Sequence, residues 1–206
     1  MKKTQKVTLQ LGVSMGTAVL IFLALFAALN PSVLAAPVSA DENNVAPVTQ
    51  SSPQAPLAND IRISQVYGGG GNSGSTYTND FIELFNSGST TVDLADWSVQ
   101  YASSTGTSWQ VTPLSGSINP GQYFLIQQAQ GSGGTTPLPT PDVIGAIPMS
   151  GSNGKVALVS NITALTGACP TSVIDFVGYG SANCFEGTGA TPALSNPTAA
   201  IRNDKG

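Results

Sequence analysis

Ile118-Asn119-Pro120-Gly121-Gln122-Tyr123-Phe124-Leu125-Ile126 joins a tight turn to the strongest strand-forming run of the chain. Pro120 fixes φ and Gly121 tolerates a positive φ, as adjacent turn positions require. Upstream, Phe81-Ile82-Glu83-Leu84-Phe85-Asn86 reads as a strand that Ser87-Gly88-Ser89 ends. Before it, Ile61, Ile63 and Val66-Tyr67 alternate partially, and the run Gly68 to Gly74 stops them, because so many glycines cost too much backbone entropy to continue an element. Between the two, Val92, Leu94 and Trp97 anchor a stretch in which Trp97 to Tyr101 alternates as a half-buried strand does, and Trp109-Gln110-Val111 follows.

Downstream, residues 129–141 form a polar Gly/Thr/Pro loop, and Asp142 to Ala146 is a short strand candidate. Lys155 to Ser160 is another strand, and Val173 to Tyr179 is the last clear one. Past residue 60 there is no amphipathic helical run and no internal repeat. About seven or eight short strands over roughly 140 residues predict an all-β sandwich or barrel.

The rest of the chain organises around that domain. Lys2, Lys3 and Lys6 precede an apolar core from Val19 to Leu29, and the small-residue sites Val33-Leu34-Ala35 and Val38-Ser39-Ala40 follow. This pattern predicts a signal peptide over residues 1–40, cleaved after Ala40, since Pro37 sits badly just past the site after Ala36. The alternative is an uncleaved membrane anchor near the lower length limit for a span. Residues 41–59 are rich in Pro, Ser, Ala and Gln without hydrophobic periodicity, which predicts a disordered linker. The folded domain is then expected over residues 60–206.

Composition narrows the chemistry. Charged residues make up 9 %, with 23 Gly and 14 Pro among 206 residues, which suits many strands and loops. Histidine is absent, so the commonest general base and metal ligand is missing and a Ser-His-Asp triad is impossible. Without the leader, 11 acidic residues stand against four basic ones, a net of −7. Such a surface repels phosphate, so nucleic acid is disfavoured as a partner of this chain alone. Cys169 and Cys184, fifteen positions apart, are expected to form a disulfide, which also fits export. Two separate buried thiols are the alternative. A metal pair lacks further ligands.

No constellation among the polar residues reads as catalytic. Glu83 points opposite Ile82 and Leu84, and Asp80, three positions away, lies on the other face, so they make no acid/base pair. Asp93 and Asp96 flank a turn and lack calcium-loop spacing. The glycine run is no phosphate loop, because no helix and no Gly-Lys-Ser/Thr follow it. Ser152 and Lys155 have Ser-x-x-Lys spacing on a turn rather than a helix, which is coincidence. Trp97 is expected in the core. Trp109 is open between core and a glycan platform, and Tyr77, Tyr101 and Tyr179 are undecided. The expectation is therefore no catalytic residues, no cofactor and no metal.

Five pieces in order carry a family resemblance. They are Ile61 to Asn86 with its glycine loop, Val92-Asp93-Leu94 with Trp97-Ser98-Val99, Ile118 to Ile126, Gly154-Lys155-Val156-Ala157-Leu158, and Asp175-Phe176-Val177-Gly178-Tyr179-Gly180. Together they resemble the lamin tail domain, an immunoglobulin-like sandwich found in animal nuclear lamins and in exported bacterial proteins. The resemblance covers nearly all of residues 60–206. It departs after Arg202-Asn203-Asp204, where a further closing strand is expected. The sandwich is thus expected to lack an edge strand, or the sequence to be the front of a longer protein.

The resemblance implies a non-catalytic binding or structural module, secreted or at the cell surface, contacting a protein or glycan partner through its loops. It meets a membrane only if the leader stays uncleaved, as a surface stalk. The alternative is an accessory domain of a longer secreted hydrolase, such as an endonuclease/exonuclease/phosphatase-type nuclease.

Overall fold

The computed structural model describes residues 60–203. The expected signal peptide and linker lie outside these described residues. The first strands are β1 (Ile61–Tyr67), β2 (Asn79–Asn86), β3 (Val92–Asp93), β4 (Ser98–Ala102) and β5 (Gln110–Pro113). Then follow β6 (Ser117–Ile118), β7 (Tyr123–Gln130), β8 (Val143–Ile144), β9 (Gly154–Val159), β10 (Asp175–Tyr179) and β11 (Ala200–Ile201).

The strands form a five-stranded sheet in the order β11-β1-β2-β7-β8, a four-stranded sheet β10-β9-β4-β5, and a small ribbon β3-β6. Among the strand pairs of the described residues only β7–β8 is parallel. The two larger sheets are the layers of the immunoglobulin-like sandwich.

Alternation puts the core between them. Ile63, Ile82, Leu84, Phe124 and Ile126 face inward from the first sheet, and Val99, Tyr101, Val156, Leu158 and Tyr179 from the second. Leu94, Leu114 and Ile118 close the corner beside the ribbon. Burying a large side chain fully contributes about 1.5–3 kcal/mol, so these positions hold the layers together.

Two expectations change. β8 covers only two of the residues read as a strand, Val143 and Ile144, and beside it the Asp142 side chain accepts the Leu125 N–H at 2.7 Å. Trp97 is only partly buried, packed against the edge of the main core, whereas Trp109 is the buried tryptophan at 6 % exposure. Past Tyr179 the chain adds the two-residue edge strand β11, which pairs antiparallel with β1 at Gln65 and Val66; the stretch after Asn203, where a closing strand is expected, lies outside the described residues.

The glycine run has a packing reason. A Cβ on Gly68 would run into the backbone of Ser150, and one on Gly70 into the backbone of Asn79. The loop must pass this close to let the Gly70 N–H reach Asp80.

Candidate functional site

Asp80 is buried, and its two carboxylate oxygens accept the N–H groups of Gly70 and Met149, each at 2.8 Å. Burial lifts its pKa to about 6, while the two amides pull it down. The next residue, Ser150, donates its N–H to the Tyr101 hydroxyl at 3.0 Å, and its carbonyl accepts the Tyr179 hydroxyl at 2.7 Å. Burial raises the pKa of both tyrosines. Asp80, Tyr101 and Tyr179 therefore fasten the Met149–Ser150 segment over the end of the core, with their polar groups committed to main chain.

Glu83 lies on the opposite face of β2, where it accepts the Ser64 hydroxyl at 2.7 Å. Asp93 accepts the Ala95 N–H at 2.9 Å, and Asp96 adopts a φ of 65° in the same turn. Both aspartates shape that turn. Among the described residues no group of three or more His, Cys, Asp or Glu side chains is placed to hold a metal ion. The structure brings none of these acids together as a reactive pair.

The outer face of the second sheet is covered, and it mixes polar side chains with a second apolar cluster of Ala102, Trp109, Ala157, Val159 and Phe176. Ser98 donates to the Asn161 carbonyl at 2.6 Å. Gln100 donates to the Thr163 carbonyl at 2.9 Å and accepts the Leu165 N–H at 2.8 Å. The Trp109 indole donates to the Gly167 carbonyl at 3.0 Å. Lys155, fully buried, donates to the carbonyls of Gly106 and Ala168 and to the Asn183 side chain at 2.7–2.9 Å. Burial pushes the Lys155 pKa down. Its ammonium also lies 5.5 Å from the Trp109 ring centroid. Ser152 takes no part in this set; its hydroxyl accepts from Asn153. The disulfide Cys169–Cys184 closes the covering segment, and Leu165 and Val173 pack there against Ala157, Val159 and Phe176.

The outer face of the first sheet is different. Strand register sets three rungs across it: Arg62, Phe85 and Tyr123; Ile201, Gln65, Glu83 and Leu125; and Phe81, Gln127 and Ile144. Tyr123 is 49 % exposed, Ile201 68 % and Ile144 71 %. The Phe85 and Tyr123 rings lie 4.8 Å apart, centroid to centroid. The exposed side chains lie on different rungs, Ile201 and Ile144 on opposite edge strands with Gln65, Glu83 and Gln127 between them, and only Phe85 and Tyr123 make a continuous apolar pair. Neither the loops nor the tryptophans, where the sequence places binding, carry these exposed side chains. The usable signal was Tyr123 to Ile126, which is apolar on both faces of its strand.

A family model described as Lamin Tail Domain matches residues 54–181. Among solved structures, the chain is similar to a DUF4876 family protein from Bacteroides thetaiotaomicron VPI-5482, with 13 % identity and a TM-score of 0.39. The likeness covers 58 % of this chain and 53 % of that one, so this chain spans about half of that protein's length. No curated protein matches.

Proposed function

The chain belongs to the lamin tail domain family, and from that premise we propose that it is a non-catalytic binding module acting outside the cytoplasm. The contact surface is the outer face of the five-stranded sheet, and the partner is a protein. The carrying observation is a difference between the two outer faces: the strands of the second sheet are covered by the chain's own segment, which itself exposes Ile162, while the strands of the first sheet present Tyr123, Ile144 and Ile201 directly to solvent. Aliphatic side chains at both ends of the face offer a sugar no hydrogen bonds, whereas they suit the apolar centre of a protein interface. The disulfide supports an oxidising compartment, and the leader pattern supports export.

The test uses the full chain and its Tyr123→Ser/Ile144→Lys variant, incubated with cell envelopes of the source organism. Both side chains are largely exposed, so folding stability should change by no more than about 0.5 kcal/mol per site. Binding by the wild type that the variant loses, and that protease treatment of the envelopes abolishes, is the expected result. Equal binding by the variant would remove this face from the reading, and binding that survives protease treatment would point to a glycan.

A further inference from the structure

We propose that residues 160–174, between β9 and β10, form a strap latched by the Cys169–Cys184 disulfide, which a dithiol releases from the second sheet while both sheets stay folded. The strap joins two strands that pair directly, Leu158 with Asp175 and Ala157 with Phe176. Its departure therefore breaks no register of the sandwich. The sheet beneath keeps its inner face in the main core through Val99, Tyr101, Val156 and Leu158.

What holds the strap is mostly polar. Ser98, Gln100, Trp109 and Lys155 each grip its main chain, from the Asn161 carbonyl to the Ala168 carbonyl. Gly167 adds an N–H to the Thr107 carbonyl at 3.0 Å. Water replaces such bonds at little net cost once a segment is free to move. The apolar part is one small cluster, in which Leu165, Val173 and the cystine cover Ala102, Trp109, Ala157, Val159 and Phe176. The cross-link removes the freedom the segment would otherwise gain.

The latch is accessible from one side, since Cys169 is exposed and Cys184 is buried. A reductant thiolate attacks the Cys169 sulfur, the S–S bond breaks, and Cys184 leaves as a thiolate that takes a proton. The second thiol of the reductant then displaces Cys169, so two cysteine thiols form as the dithiol is oxidised to its own disulfide. Two of the three acceptors of Lys155, the Ala168 carbonyl and the Asn183 side chain, neighbour the two cysteines. Releasing the strap therefore uncovers an amine that the oxidised protein hides.

The experiment is hydrogen exchange read by mass spectrometry on the full chain, with and without dithiothreitol. Reduction should lower protection in the peptide holding Leu165 and Gly167 on the order of 100-fold, with β2 and β7 unchanged. A Cys169→Ser/Cys184→Ser variant, treated with an N-hydroxysuccinimide acetate, should be acylated at Lys155, whereas the oxidised wild type is not. Strap protection that survives complete reduction would overturn the proposal. So would joint loss of protection in the strap, β2 and β7, because the disulfide would then hold the whole sandwich. The dithiothreitol arm decides even if the serine variant does not fold.

Discussion

The carboxylate of Asp175, in one sheet, accepts the backbone N–H of Ile63, in the other, at 2.6 Å. Arg202 completes the joint: its Nη2 lies 2.9 Å from each Asp175 oxygen, and its Nε donates to the Ile63 carbonyl at 3.1 Å. One acid and one base thus satisfy both main-chain groups of a residue next to the bulge in β1. Asp175→Ala leaves the buried Ile63 N–H without its acceptor and leaves Arg202 only Glu186, at 3.1 Å, and the Ile63 carbonyl, and should cost about 3–4 kcal/mol in urea unfolding. Arg202→Ala should cost less, because Asp175 keeps the Ile63 N–H and burial already raises its pKa, so that it takes up a proton more readily. An equal or reversed order in the two midpoints would contradict this account.

Asp80 makes the domain more stable at mildly acidic pH. Burial raises its folded pKa to about 6 from an ordinary 3.8. Between those values the folded chain holds a proton that the unfolded chain has released, so stability falls as pH rises. The contribution is fully present below about pH 3.8 and is lost through pH 6. Burial shifts Asp175 in the same direction. Allowing for screening, Asp80 should account for on the order of 1–2 kcal/mol. Unfolding midpoints between pH 4 and pH 7 read the slope; a midpoint that climbs with pH over this range would reverse the assignment.

Much of the sandwich is visible in the sequence because its long strands alternate. Ile82 and Leu84 in β2, and Phe124 and Ile126 in β7, fall on the inner face that a period of two assigns them. β11 is not visible, because Ala200 and Ile201 carry no pattern of their own and become a strand by meeting Gln65 and Val66. The fate of Lys155 is equally hidden, since its partners at Gly106, Ala168 and Asn183 come from three separate stretches. Trp109, which the sequence leaves open between core and surface, is settled for a related reason: it is buried by a loop that crosses the outside of the sheet, in a second small cluster that alternation cannot forecast.

Two glycines that look alike in the sequence should respond differently to alanine. Gly70 has no room for a Cβ, which would meet main-chain atoms of Asn79 and Asp80. Backbone cannot swing aside as a side chain can, so Gly70→Ala should displace the loop and break the Asp80 contact, costing about 3 kcal/mol or more. Gly74 has a φ of +79° but open space around it. Its alanine variant meets only the left-handed penalty of about 1–2 kcal/mol. Thermal unfolding of both variants separates steric from conformational cost, and similar losses would mean the loop relaxes freely.

Lys155→Met should show how strongly the covering segment depends on one ammonium. Methionine fills similar space but donates nothing, so the Gly106 and Ala168 carbonyls and the Asn183 side chain lose a shared donor. Water can reach Asn183, which is exposed, and this limits the penalty at that acceptor. The two carbonyls dominate, and the loss should come to about 2–4 kcal/mol, with a further part from the cation over the Trp109 ring. The same change should loosen the turn at Gly106 that leads into Trp109, moving tryptophan emission to the red. Urea unfolding followed by fluorescence measures both effects. An unchanged midpoint would mean that the apolar methionine compensates fully, and that Lys155 is tolerated in the fold rather than required by it.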